Sequence, residues 1–328
     1  MQENAWYDPD GNGNPALRAC LLAATAAPSI HNTQPWLFRP HGDTVDVLVD
    51  RRRQLTALDP TGREMLVSVG AALFNLRVAV LARGRESHVR LLPDPAEPDL
   101  TARLSIGRAI TPPGTARALA DAILRRHTNR RPFADTPVPH ETLEELAGAA
   151  AAEAATLVLA DPALRDGMLS LTRTAENRMR VDPRYRAELA AWTTPPGIGR
   201  RDGVPRQAFG PRAANGSIPL RDFTLGHGAP ASIVAFEAEP TLVLLFTAAD
   251  GPADWLRAGL ALERVLLTAT LRGLAATPLT QSLEVPALRV LLAESATGNV
   301  VQSVLRIGYA QTPALPTPRR PLAEVVVD

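Results

Sequence analysis

Residues 125–133 read Arg-Arg-His-Thr-Asn-Arg-Arg-Pro-Phe, four arginines and a hydroxyl in one stretch just before a helix expected to start near Pro139. Guanidinium forks at this density can give several charge-assisted hydrogen bonds to one dianion. The stretch therefore reads as a phosphate site or as a solvated basic linker. A second basic run, Thr317-Pro-Arg-Arg-Pro321, sets Arg319 and Arg320 between prolines that restrict the backbone, which suits a directed pair of cations or a rigid surface tail. Residues 28–36, Pro-Ser-Ile-His-Asn-Thr-Gln-Pro-Trp, hold small polar side chains between two prolines. Such a loop can read the polar edge of a planar cofactor, or form an Asn/Pro turn anchored by a tryptophan. Residues 277–281, Thr-Pro-Leu-Thr-Gln, follow a glycine-closed helical pattern and can bring backbone N–H groups to a ligand or open a strand.

Other chemistries find no residues to carry them. All 35 basic side chains are arginine, which excludes a lysine Schiff base. Cys20 is the single cysteine, and the six histidines form no HxxxH or HExxH pair, so disulfide, zinc and iron–sulfur sites are not expected. Neither GxSxG nor a Walker sequence occurs. The match Gly11-x-Gly13-x-x-Ala16 follows Asp-Pro-Asp rather than a strand and is discarded as a dinucleotide fingerprint. A formal net charge of +1 argues against nucleic acid or an anionic membrane as partner. The polar start lacks the character of a signal peptide, and no apolar run is expected to reach the roughly 20 residues that span a bilayer, so a cytoplasmic protein is expected.

The elements that must position these residues follow from periodicity. The 328 residues, 45% hydrophobic, suit about two globular units. Apolar spacing predicts a helix from Pro15 to Ala27, strands at 36–39 and 45–49 joined through His41-Gly42-Asp43, and a long helix opened by Asp59-Pro60 and closed by Gly84. Met65, Val69, Leu73, Leu76 and Val80 form the apolar stripe of that helix. Residues 70–84 and 259–273 are both helical patterns opening and closing on glycine. Each is followed by a strand candidate and then by an L-x-I-G strand ending, at Gly107 and Gly308. One duplicated unit is the simplest reading. Residues 161–232 have no counterpart in the first half, and Thr194-Pro-Pro-Gly-Ile-Gly199 and the Gly/Pro-rich remainder suit either a surface excursion or a cover over a site.

In this order, APSIHNTQPW, DPTGREMLVSVGAAL, RRHTNRRPF, GLAATPLTQ and IGYAQTPALPTPRRPLAEVV resemble the nitroreductase-like FMN-binding superfamily, and within it the Acg family, in which two nitroreductase-like halves are fused. The resemblance covers about Pro15 to Val327. It implies an α+β fold with a first half at 1–118, a second at 119–328 carrying a lid-like insert at about 193–223, and a monomeric pseudo-dimer.

The resemblance also implies site residues. Arg126, His127, Thr128 and Arg130 match the phosphate and ring-edge stretch, with threonine where serine is usual, and Arg319, with Arg320 beside it, matches the C-terminal basic position. Pro28, Ser29 and Asn32 fall on the loop that reaches the flavin from the other unit. Pro278, Leu279, Thr280 and Gln281 match the stretch whose amides approach flavin N5, although an acidic residue and glycine are common at its last two positions. Because residues 149–155 are alanine-rich where the second half would carry the loop, one composite site per chain is expected. Such a site implies FMN, with NADPH or NADH as donor and ping-pong reduction of a small electrophilic acceptor. An arginine, or His127 if protonated, would steady the reduced ring. The alternative is a flavin-binding protein without turnover, its pocket closed by the insert.

Overall fold

The computed structural model describes residues 14–194, 199–226, 232–292 and 299–328. The discarded glycine match and residues 195–198 of the Thr194–Gly199 motif lie outside them.

Helix α1 (Pro15–Thr25) starts where Asn14 Oδ1 accepts from Ala16 N at 2.8 Å, with proline at the first helical position. Strands β1 (Trp36–His41) and β2 (Thr44–Val49) form the expected hairpin. Helix α2 (Arg63–Ala82) begins later than Asp59-Pro60 suggested, because Gly62 takes a left-handed conformation at its N-cap. Asp59 still serves the helix start, its Oδ2 accepting from Met65 N at 2.9 Å. Strands β3 (Arg85–Leu91) and β4 (Leu100–Ala109) and helix α3 (Gly114–Ile123) complete this part. Its antiparallel sheet has the order β1-β2-β4-β3.

The second set comprises α4 (His140–Ala151), β5 (Thr156–Leu159), α5 (Pro162–Arg180), α6 (Pro183–Ala191), β6 (Thr241–Thr247), α7 (Pro252–Leu271), β7 (Ala275–Pro278) and β8 (Val300–Gly308). Its antiparallel sheet runs β5-β6-β8-β7. Setting α1-β1-β2-α2-β3-β4 against α4-β5-β6-α7-β7-β8 gives the same strand order in both, the topology expected of a duplicated unit.

Helices α2 and α7 cross at Gly70 and Gly259. A Cβ added at Gly70 would stand 2.3 Å from Leu256 O, and one at Gly259 would stand 2.1 Å from Val67 O. The backbones therefore meet where only glycine leaves room. Leu256, Leu260 and Leu267 of α7 join the core built on α1, β1, β2, β4 and α2, while Val67 of α2 joins the core under β6 and β8. This packing accounts for a departure from the sequence reading: α2 is long and apolar enough to cross a membrane, yet 78% of its most apolar window is buried inside the protein. It is the central core helix.

Two arms cross between the sheets. Val326 bridges to Phe38 at the edge of the first sheet, and Thr128 bridges to Ala276 at the edge of the second. The segment from Asp161 is also more regular than expected. Met168, Leu169, Thr172, Ala175, Glu176 and Met179 make one buried face of α5, and Tyr185 and Leu189 anchor α6. Only beyond α6 does the chain become irregular, in short bridges and 3-10 turns.

Candidate functional site

Loop 26–35 joins α1 to β1 and carries three non-glycine residues at positive φ, namely His31 (46°), Asn32 (54°) and Gln34 (51°). That conformation is costly and has to be held from outside. Ser29 Oγ accepts from Gln34 N at 3.0 Å, and Ser68 Oγ on α2 accepts from Ile30 N at 3.2 Å. Asn32 Nδ2 donates to Gly203 O (3.0 Å) and Pro318 O (3.2 Å), and Gln34 Nε2 donates to Arg201 O (2.9 Å). Arg319 and Arg320 close the arrangement from the C-terminal arm. Arg319 Nη1 donates to Asn32 Oδ1 at 3.1 Å, and Arg320 N donates to Gln34 Oε1 at 2.7 Å.

With Asn32 and Gln34 so engaged, the loop turns Pro28, Ser29, Ile30 and His31 into an internal cavity. Glu64, Val67, Ser68 and Ala71 of α2 form one wall, and Thr128, Arg130, Thr277, Pro278, Thr280, Leu262 and Ser303 come from the second set of elements. Leu220, Arg221 and Phe223 of the insert close it. The cavity is about 90 Å³, small beside the roughly 300–1,000 Å³ of small-molecule sites. Phe223 lies on its wall, meeting His31 edge-on at 5.4 Å, stacking on Phe209 at 5.6 Å and lying under the Arg130 guanidinium at 4.8 Å.

The cover is fastened at several points. Arg221 donates to Tyr185 Oη at 2.8 Å and to both oxygens of Glu284 at 2.5 Å. Burial opposes its charge, but Glu284, Tyr185 and Glu176 hold its proton more tightly than that of a free guanidinium. Glu176 accepts from Asp222 N at 3.0 Å, and Gln281 Nε2 donates to Pro219 O at 3.0 Å. Arg130 Nη1 donates to Ala208 O at 2.8 Å. Gly210 lies against Arg130 with φ +80°, where a Cβ would stand 2.7 Å from Arg130 O.

Six of the residues expected from the sequence line the cavity: Pro28, Ser29, Thr128, Arg130, Pro278 and Thr280. The other seven do not. Leu279 packs under α5, Gln281 holds the cover, and Asn32, Arg319 and Arg320 tie the loop to its neighbours. Arg126 and His127 line a separate surface cleft of about 320 Å³, with Arg125 and Ala275; Thr128 and Pro278 face both spaces. His127 is pushed below the ordinary histidine range by burial and by Arg126 and Arg319, so it is neutral at pH 7 and the cationic role falls to arginine. Burial lowers Arg130 to about 10 and, helped by Arg126, Arg319 to about 9; both stay cationic at neutral pH.

Two cavity residues carried no individual signal in the sequence. His31 is held well below its ordinary range by burial and by Arg221 and Arg130, and neither ring nitrogen has a hydrogen-bond partner among the described residues. Glu64 is buried beside Arg63, and burial pushes its carboxyl up to about 7. Ser303 Oγ is likewise buried without a partner. A neutral imidazole and a hydroxyl left unsatisfied on the wall of a cavity mark places for a ligand's polar edge.

Sequence comparisons agree with the fold. The Nitroreductase family model matches residues 123–309. The chain is 34% identical over 316 residues to Rv3131 of Mycobacterium tuberculosis, which carries a provisional NAD(P)H nitroreductase name, with 94% of this chain and 90% of that protein covered. It is 32% identical over 318 residues to acg of the same organism, named in the same way, with 94% of each covered. A nitroreductase with bound FMN from Desulfitobacterium hafniense aligns at TM-score 0.40 and 15% identity, covering 64% of this chain and 97% of that one. The chain belongs to the nitroreductase family.

Proposed function

We propose that the protein is an FMN-dependent oxidoreductase of the nitroreductase type. The observation that carries this reading is the convergence of residues 28–31 with Thr128, Arg130, Pro278 and Thr280 around one cavity shared between two sets of elements. We take these as halves 1–118 and 119–328 of a cytoplasmic pseudo-dimer that holds one flavin per chain as a monomer.

The residues present suit FMN. An apolar wall from Val67, Ala71 and Leu262 with the unsatisfied His31 and Ser303 fits a planar ring with a polar edge. Across Thr128 and Pro278, the adjoining cleft carries Arg125 and Arg126, and Arg319 stands behind Arg126, a donor set suited to a phosphate. When bound, FMN supplies the hydride chemistry, taking two electrons from NADPH or NADH and giving them to a small electrophilic acceptor in ping-pong order. The chain's own groups orient and stabilise. Arg130 and Arg221 place positive charge at the cavity, which favours added negative charge there. Glu64 holds a proton at near-neutral pH against the same wall.

A second reading is favoured by the fastening of the cover through Arg221, Glu176 and Gln281: a flavin-binding or sequestering protein whose cover denies entry to nicotinamide. Titration with FMN followed by NADPH or NADH without oxygen, watching the visible flavin bands, separates the two. Bleaching supports the reductase; saturable binding at one FMN per chain without bleaching supports sequestration; absence of binding overturns both.

A further inference from the structure

Behind the arginine-lined cleft lies a buried acid that the proposed chemistry leaves unused. Glu263, on α7, is completely buried. Arg126 Nε stands 3.4 Å from Glu263 Oε1, Asn75 faces the carboxyl from α2, and Arg319 is near enough to act on its charge. The two arginines also meet at the end of α1, where Arg126 Nη2 donates to Ala26 O at 3.2 Å and Arg319 Nη2 donates to Ala26 O and Ala27 O at 3.1 Å. Among the described residues, Arg126 Nε and Arg319 Nε have no hydrogen-bond partner.

Two guanidinia taken out of water need a counter-charge, and the carboxylate beside Arg126 provides it. A phosphate dianion drawn to the same arginines would compete with that carboxylate, and two anions cannot share the pair without repulsion. We propose that Glu263 is a built-in counter-anion of the phosphate site and gives up its charge, by taking one proton from solvent, when the phosphate of FMN binds. The inference rests on the FMN reading above. No covalent bond changes and no electrons move; one proton goes from buffer to a carboxylate oxygen of Glu263.

The acid is poised for this exchange. Burial pushes its carboxyl up to about 7, with Arg126, Asn75 and Arg319 pulling it back down. Above that pH the empty site holds mostly carboxylate, and an adjacent dianion raises the carboxyl further. Binding between about pH 7.5 and 8 then takes up close to one proton, and FMN affinity falls as pH rises, by up to about tenfold per pH unit. Other facing groups are constant over this window. Arg319, lowered to about 9, is still mostly cationic up to about pH 8, His127 remains neutral, and the phosphate of free FMN, with a second pKa of about 6, is already a dianion.

The experiment is calorimetric titration of the full chain with FMN at about pH 8 in two buffers of different ionisation enthalpy, with riboflavin as the phosphate-free control and Glu263→Gln as the variant. The expected result is uptake of about one proton with FMN, none with riboflavin, and none with FMN in E263Q, whose affinity is flat with pH. Uptake that is absent in the unmodified chain, equal for the two flavins or retained in E263Q overturns the proposal. Should E263Q fail to fold, the carboxylic C=O infrared band of the unmodified, FMN-free protein decides: it grows on titration with inorganic phosphate at about pH 8, or the proposal falls. That band also separates the two claims, because a chain that binds neither flavin but shows the growth refutes the FMN reading and keeps the coupling.

Discussion

The two sheets share one strand order and differ on their outward faces. In the first, Asp46 on β2 sits opposite Arg103 on β4; in the second, Leu244 on β6 sits opposite Val304 on β8. Counting back from the L-x-I-G endings at Gly107 and Gly308 places these two pairs at the same rung. Asp46 takes two hydrogen bonds from Arg103, at 2.6 and 2.9 Å, and one from Arg39 at 3.1 Å, a charged cluster in which the arginines reach water and cover the carboxylate. Leu242, Leu244, Phe246, Val301 and Val304 instead lie under Met168 and Leu169 of α5. One ladder has therefore been finished in two ways, and only the apolar finish gives α5 a seat. From α5 the chain runs through α6 into the cover, so the asymmetry of the cavity begins on the outer face of a sheet some distance away.

The sharpest attack on this contrast exchanges its chemistry. Leu244→Asp puts a lone carboxylate under α5 and should cost on the order of 5 kcal/mol or more, leaving little folded protein by circular dichroism and urea titration. Gly259→Ala tests what the two sets share. Its methyl would press on Val67 O, and the expected loss is about 3 kcal/mol in urea unfolding; an unchanged midpoint would refute the close crossing.

Asp46→Asn probes the charged face and should cost about 1–2 kcal/mol at neutral pH, discounted because Arg39 and Arg103 are partly exposed. Burial alone would raise the Asp46 carboxyl, but hydrogen bonds from Arg103, Arg39 and His41 outweigh it and hold it down at about 2. A carboxyl lowered in the folded state stabilises above its ordinary value near 3.8 and loses that contribution as pH falls through about 2. Unfolding curves of D46N and the unmodified chain should therefore converge at about pH 2. The smallest effect is a gain. Gly148→Ala on α4 meets nothing within 4 Å and should add about 0.5–1 kcal/mol.

Much of this organisation could be read from residue order. The glycine-bracketed helices and the L-x-I-G endings fix local geometry wherever they occur, and they marked the strand order that the two sheets share. The helix start at Arg63 was missed because an Asp-Pro pair is an ordinary helix opening, and only the left-handed turn at Gly62 moves it. Which side chains of loop 26–35 face the cavity was also hidden. Asn32 looked like the ligand contact, but Gly203, Pro318 and Arg319, all far away in sequence, claim its amide and leave His31 inward. Glu263 is one acid on an apolar helix, and its partners come from three separate segments. The buried face of α5 did carry a helical period, masked by the charged residues between its apolar positions.

The bridge from Val326 to Phe38 has a consequence for how the chain is made. The edge of the first sheet is completed by a residue made 288 positions later, and loop 26–35 gains its hold from Pro318, Arg319 and Arg320 just before it. At roughly 5–20 residues per second, the intervening stretch takes about 15–60 s to translate. Throughout that interval the nascent first sheet presents an unpaired edge beside a loop in costly backbone conformations, so the early product waits, incomplete, for the distant arm at residues 318–326.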